Sequence, residues 1–393
     1  QALLPYRLGA TISAGPEQLE ELMKIIAVET NWTRIPFDMG GQPAVSGGLG
    51  WQSMNTVWLR IVTDQGLEGW GEGFGHASAA ATKTVLDTQL APAVLGQDAR
   101  DIAGLRARLS KAFHSFGRNG SHVFALSALD IALWDIAGKA AGLPLWRLLG
   151  ATPVEHLTSY ASLLRYGEAR MVASACERAV ARGYGDIKLH EITVPEVRAA
   201  RAAIGPEARL MVDTNCPWTV AQATEIARQV RDCDLTWLEE PVFPPGDHTG
   251  LAQVRREGGV PIAAGENAAG LHDFRAAFEA GALDVAQPSV IKIGGPSAML
   301  EIAALAKAFG VRVVPHNAYF GPGFLASLHV NAAIAPDAPF ERLFIDLEAS
   351  PLHDLVVAEN GYVKVPDGPG LGRDPDPAVM KRYQLAEPTV HRM

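Results

Sequence analysis

Lys188 and His190 stand two residues apart in DIKLHEI, a stretch whose apolar alternation reads as a β-strand. Residues two apart in a strand face the same way, so the two basic groups share one surface while Ile187 and Leu189 share the other. Further on, Asp213, Glu239 and Glu266 recur at steps of 26 and 27 residues, each near the end of another apolar run: RLMVDTN from 209, LTWLEEPV from 235 and PIAAGEN from 261. Acids at equivalent places on three neighbouring strands repel one another unless a cation lies between them. Ligation by oxygen alone favours a hard ion, and a small cage with positions open to water and substrate favours Mg2+ over Ca2+. His316, in VRVVPHNA, brings an imidazole to the end of a later run.

Such residues have to be carried to one place by the elements around them. After Pro144 short apolar strands alternate with amphipathic helices, and strand candidates begin near residues 157, 186, 209, 235, 261, 283, 311 and 341. Eight βα units in about 200 residues predict an α/β fold, a modified (β/α)8 barrel over 151–356. The open doubly wound alternative lacks a Gly-rich phosphate turn after the first strand. Barrel chemistry is built at the carboxyl ends of the strands, where these polar residues sit. Ahead of it, residues 23 to 74 carry β signals with a hairpin at DQG, and 78–142 read as three helices, the last with Ser121 as N-cap and Gly142 and Pro144 as its stop. That order predicts a smaller α+β domain over 23–150, and residues 1–22, which lack a signal-peptide build, read as an extension outside it.

The chain has 393 residues, 48% of them hydrophobic, enough for a large core. Its net charge of −9 argues against nucleic acid and anionic membranes as partners, and no apolar run is long enough to span a bilayer. Cys176, Cys216 and Cys233 are odd in number and lack metal-ligand spacing, which fits a cytoplasmic location.

The motifs KLH at 188, VDTN at 212, LEEP at 238, AGEN at 264, KIGG at 292 and PHN at 315 resemble, in order, those of the enolase superfamily in its mandelate racemase and muconate lactonizing enzyme branch. SALDIALWDIAGKAAGLPLWRLLG from 127 is similar to that branch's bridge into the barrel. The resemblance implies a capping domain over the barrel mouth, a C-terminal segment (357–393) returning to it, a homo-oligomer (dimer or octamer), and Mg2+ on Asp213, Glu239 and Glu266. It further implies abstraction of a proton α to a carboxylate through an enediolate, whose developing charge the Mg2+ and Lys188 stabilise. His190 stands where relatives commonly have Lys and is read as the base, with a binding role as the alternative. Arg34, in lid loops at about 34–50 and 75–78, is placed by the same analogy to select the distal part of a small carboxylate substrate.

Ser289 departs from the pattern, since racemases and dehydratases of the branch place Asp there to orient the His of strand seven. Without it His316 is read as a general acid or a substrate hydrogen-bonding group. Lys292, three residues beyond Ser289, is expected on the opposite face as a structural residue, with a catalytic role as the alternative. Asn215, Ser162 and Ser289 are expected at the substrate, together with Asp346, although Glu348 and Glu341 on strand eight stay open. Dehydration of an acid sugar ranks first because His316 offers an acid for the leaving hydroxyl. Sugar-lactone cycloisomerisation and 2-hydroxy-acid racemisation or epimerisation follow, and a non-catalytic carboxylate-binding or scaffold protein is the alternative of another class.

Overall fold

The computed structural model describes residues 22–41, 44–46 and 49–393, so nearly all of the expected N-terminal extension lies outside the described residues. An antiparallel layer comes first: β1 (Ile25–Asp38), β2 (Ser53–Thr63) and β3 (Glu68–Gly73) pair in that order, Arg34 standing opposite Asn55. Residues 34–38, expected in a loop, therefore belong to β1, because their alternation continues that of the strand. Helix α1 (Ser121–Ala141) packs on this layer, buried over most of its circumference, and ends at Gly142 in the left-handed conformation (φ 65°). Its N-cap is Gly120, which displaces Ser121 from that role and offers no side-chain bond. At Gly71 of β3 the helix backbone comes so near that an added Cβ would lie 1.9 Å from the Ala128 carbonyl oxygen. Only glycine fits that contact.

Eight parallel strands follow: β4 (His156–Ser162), β5 (Asp186–Leu189), β6 (Arg209–Asp213), β7 (Leu235–Glu239), β8 (Ile262–Ala264), β9 (Val285–Ala286), β10 (Arg312–Val313) and β11 (Phe340–Leu343). Helices separate them, among them α2 (Ala169–Ala181), α3 (Gly295–Phe309) and α4 (Pro322–Ile334). Strands β4 to β10 pair in chain order and β11 returns to pair with β4. Seven junctions of the ring thus carry backbone ladders. Among the described residues none joins β10 to β11, and there Asn317 donates from its backbone N to Glu341 Oε2 and from Nδ2 to the Glu341 carbonyl.

Side chains alternate between two cores. Residues such as Ile187, Leu189, Val212 and Leu238 face the helices. Tyr160, Met211, Trp237, Ala263, Val285 and Val314 meet in a separate apolar cluster, drawn from six different parts of the ring. After residue 356 the chain first lays β12 (Tyr362–Lys364) on β4, and only then sends β13 (Thr389–Arg392) to β1. The expected return to the first layer is thus preceded by an addition to the second.

Candidate active site

Two residues beyond Met211 and Trp237 on the same faces come Asp213 and Glu239, so the apolar cluster is succeeded by a layer of charge. Lys188 projects into that layer from β5. Its Nζ, fully buried, lies 2.6 Å from Glu341, 2.9 Å from Glu239 and 3.3 Å from Asp213. The ammonium therefore does not open onto the cavity at the strand ends, as the sequence reading had it, but sits beneath it and balances three carboxylates. Burial alone would lower Lys188, yet Glu239 and Glu341 raise its pKa well above the ordinary lysine value.

His190 lies one residue past β5 and reaches the same oxygen as Lys188: its Nε2 is 3.3 Å from Asp213 Oδ2. Its Nδ1 is 2.6 Å from the Leu163 carbonyl oxygen. Burial opposes ionisation of Asp213, but Lys188 and His190 outweigh it and hold the carboxyl far below its usual range. Asn215, with φ of 54°, turns back so that its N and Nδ2 both donate to Asp213 Oδ1 at 3.0 Å.

Gly265, at φ 138°, breaks the alternation after β8 and brings Glu266 rather than residue 265 to the cavity. Glu266 Oε2 is 2.8 Å from His316 Nε2 and 3.6 Å from Lys292 Nζ. Burial raises the Glu266 carboxyl, but Lys292 and His316 more than offset it and keep the group ionised. The expectation for Lys292 is thus corrected. β9 stops at Ala286, the two-residue period does not run on to 292, and Lys292 lines the cavity 5.0 Å from the Phe74 ring.

Ser289 is buried and lies 3.1 Å from His316 Nδ1, so it braces the imidazole rather than meeting substrate. Ser162 is likewise buried and donates to Glu341 Oε1 at 2.8 Å. Asp346 is far from its expected place: it is exposed, paired with Arg182 at 2.9 Å, and its backbone joins β1 rather than the ring. Of the acids left open on strand eight, Glu341 is the buried one beside Lys188, and Glu348 bonds Tyr383 on the surface. The signal for Glu341 is its place one residue into FERL, an acid inside a buried strand.

His190, Asp213, Asn215, Glu266, Lys292 and His316 open into one cavity of about 990 Å3 between the two layers. The antiparallel layer and its connections supply Trp32, Arg34, Trp51, Asn55 and His76, and the strand ends supply Arg165, His190, Asp213, Glu266, Lys292 and His316. His76 stacks on Phe74 at 4.7 Å, and its Nε2 lies 3.2 Å from the Ala318 carbonyl oxygen. Burial pushes its pKa down to about 4. Asn55 and Arg165 carry no signal in the sequence that marks them for this cavity.

Among the described residues no group of three or more His, Cys, Asp or Glu side chains stands arranged to hold a metal ion. The oxygens of Asp213, Glu239 and Glu266 are engaged by nitrogen: Lys188, His190, His316 and, on Glu239 Oε2, Trp237 and Gln287. The donor set nevertheless suits a hard divalent cation. It offers carboxylate oxygens from three successive strands, and its negative charge is in excess: burial and then the charge of Asp213 push the Glu239 carboxyl well above its usual range.

Comparison with known proteins shows the family of the chain. Residues 23–150 match the family described as mandelate racemase / muconate lactonizing enzyme, N-terminal domain, and residues 170–379 match the one described as enolase C-terminal domain-like. D-Galactarolactone cycloisomerase of Agrobacterium fabrum is 34% identical over 93% of this chain and 100% of its own. Arabinonate dehydratase of Saccharolobus solfataricus is 29% identical over 86% of this chain and 92% of its own. The crystal structure of a racemase from Streptomyces coelicolor with bound magnesium superposes with a TM-score of 0.82 at 31% identity, covering 92% of this chain and 100% of that one. The chain belongs to the mandelate racemase and muconate lactonizing enzyme branch of the enolase superfamily, and is a lyase or isomerase of that superfamily.

Proposed function

We propose that the protein removes the proton α to the carboxylate of an acid sugar and expels the oxygen on the β-carbon, which is dehydration when that oxygen is a hydroxyl. The observation that carries the reading is the pair His190 and His316, which reach one cavity from different strand ends, each directed at a different carboxylate. His190 Nδ1 can only donate to the Leu163 carbonyl, so in the neutral ring Nε2 holds the lone pair. Nε2 takes the α-proton, and the imidazolium so formed faces Asp213. His316 holds a proton at Nε2 and delivers it to the departing oxygen, with Ser289 fixing the ring from its other nitrogen. Lys188 and Glu341 balance the charged layer beneath the two imidazoles as the reaction proceeds.

Asp213, Glu239 and Glu266 would hold Mg2+, and when bound it supplies Lewis-acid charge to the substrate carboxylate. The fold that presents these groups is read as a modified (β/α)8 barrel whose last junction is closed by Asn317 and Glu341.

A second reading has an observation of its own, the 34% identity to a cycloisomerase across the whole of that relative. If the β-oxygen belongs to a ring, the same elimination opens the ring and no atom is lost. Dehydratase and cycloisomerase then differ only in what the leaving oxygen is attached to.

Proton NMR in D2O with Mg2+, across acid sugars and their lactones, tests both. The expected result is loss of the α-proton signal with formation of a 2-keto-3-deoxy acid, abolished in His190→Ala. His316→Ala should exchange the α-proton without eliminating. Absence of exchange from every acid sugar and lactone would overturn the reading.

A further inference from the structure

Charge in the cavity is matched on one side and not on the other. Asp213 meets Lys188 and His190, and Glu266 meets His316 and Lys292. Arg34 and Arg165 line the same cavity; Arg165 has the Glu191 carboxylate near enough to feel its charge, whereas among the described residues no carboxylate is paired with Arg34. Arg165 is tied to the strand ends, its Nε donating to the His190 carbonyl and Nη2 to that of Thr214. Arg34 belongs to the opposite wall.

The guanidinium of Arg34 is aimed. Asn55 stands across from it in the β1–β2 register, and Asn55 Oδ1 accepts from Arg34 Nε and from Trp32 Nε1, both at 3.1 Å. The Arg34 Cζ also lies 5.8 Å from the centre of the Trp32 ring. These contacts use the Nε of Arg34 and the oxygen of Asn55. Both Nη groups of Arg34 and the Nδ2 of Asn55 remain as donors that no described protein atom accepts from. A planar fork of donors beside an amide, all on one wall, matches the two oxygens of a carboxylate. A phosphate dianion calls for more cationic partners than the one guanidinium found there.

We propose that Arg34 and Asn55 bind a second carboxylate, at the end of the substrate remote from the reacting carbon, so that the substrate class is a sugar diacid or its monolactone. This rests on the acid-sugar reading above, which supplies the first carboxylate at the strand ends. A sphere of the cavity's volume is about 12 Å across, which accommodates an extended six-carbon chain between the walls. The capping layer then selects by charge, and Arg34 is a specificity-determining residue.

The test compares stereochemically matched hexaric acids, hexonic acids and 6-phosphohexonic acids that differ only at the far end, using the Mg2+-loaded full chain. The expected kcat/KM of wild type is about 100-fold higher for the diacid than for the mono-acid. Arg34→Gln should collapse that ratio mainly through KM, and Arg34→Lys should restore part of it. Equal rates on diacid and mono-acid, preference for the phosphate, or a ratio unchanged in Arg34→Gln would each overturn the proposal. If no acid of any kind exchanges its α-proton, the elimination reading fails by itself. Calorimetric binding of the diacid and mono-acid to wild type and Arg34→Gln then decides the distal site without turnover: selective diacid binding lost in the variant supports it, and indifference refutes it.

Discussion

Glu72 offers a perturbation whose size follows from its surroundings. It lies on β3, is buried, and accepts from the backbone N of Gly323 at 2.9 Å in the first turn of α4. Burial raises its carboxyl from 4.5 to about 8 despite the hydrogen bonds from Gly323 and Gly321. Between those values the folded protein holds a proton there that the unfolded chain releases. Stability from this group is therefore complete below about pH 4.5 and is lost as the pH rises toward 8, by about 1.4 kcal/mol per unit, or about 3 kcal/mol by pH 7. Glu72→Gln copies the neutral acid in shape and has no proton to lose. Urea unfolding of both proteins at pH 5, 6, 7 and 8 in constant salt isolates the term, because other titrating groups cancel in the difference. Wild type should trail the variant by less than about 1 kcal/mol at pH 5 and fall progressively further behind it toward pH 8. A difference that stays flat with pH, or one that grows in favour of wild type, would refute the reasoning and show Glu72 to be ionised in the folded state.

Gly71→Ala should cost more than about 3 kcal/mol, because the new Cβ meets the Ala128 carbonyl and the backbone of a buried helix has to move, while Gly246→Ala, with open space around it, changes the melting temperature little. Asp346→Asn should leave turnover unchanged and alter stability by less than about 1 kcal/mol, since its pair with Arg182 is exposed, whereas Glu341→Gln should lower kcat by at least about 100-fold by unbalancing Lys188. Mg2+ at about 100 times its Kd should raise stability by about 2.7 kcal/mol in a thermal melt, EDTA should reverse the rise, and Glu239→Gln should abolish it.

The placing of the strands was legible because each apolar run is short and each is followed by a helix-period segment, a pattern that survives any tertiary detail. The runs nevertheless extended too far. DIKLHEI, LDVAQPSV and VRVVPHNA are strand only over 186–189, 285–286 and 312–313, and the polar residues beyond them leave the strand to make the site. The same-face argument succeeds for Lys188 and His190, which share one Asp213 oxygen although His190 is one residue past β5, and fails for Lys292, six residues past β9. Lys188 could be recognised as basic and strand-borne, but its burial depends on Glu341, which joins β5 only through the closing of the ring. Asn55, Arg165 and Glu72 had no local signal at all. Each acquires its place from a partner on another element: Arg34, the His190 carbonyl and Gly323.

The junction between β10 and β11 sets where the molecule can yield. At every other seam, separating two strands breaks a backbone ladder, whereas here it breaks two bonds from one asparagine to one glutamate. Local opening follows the lowest local cost, so the amide of Asn317 should exchange with solvent deuterium well before those of Val212 or Leu238. His316 and Glu341 flank that seam, while Asp213, Glu239 and Glu266 stand on the laddered arc opposite. A ring built this way can part Asn317 from Glu341 while His316 stays bonded to Pro288 and Ser289, much as a clasp opens while the band keeps its shape.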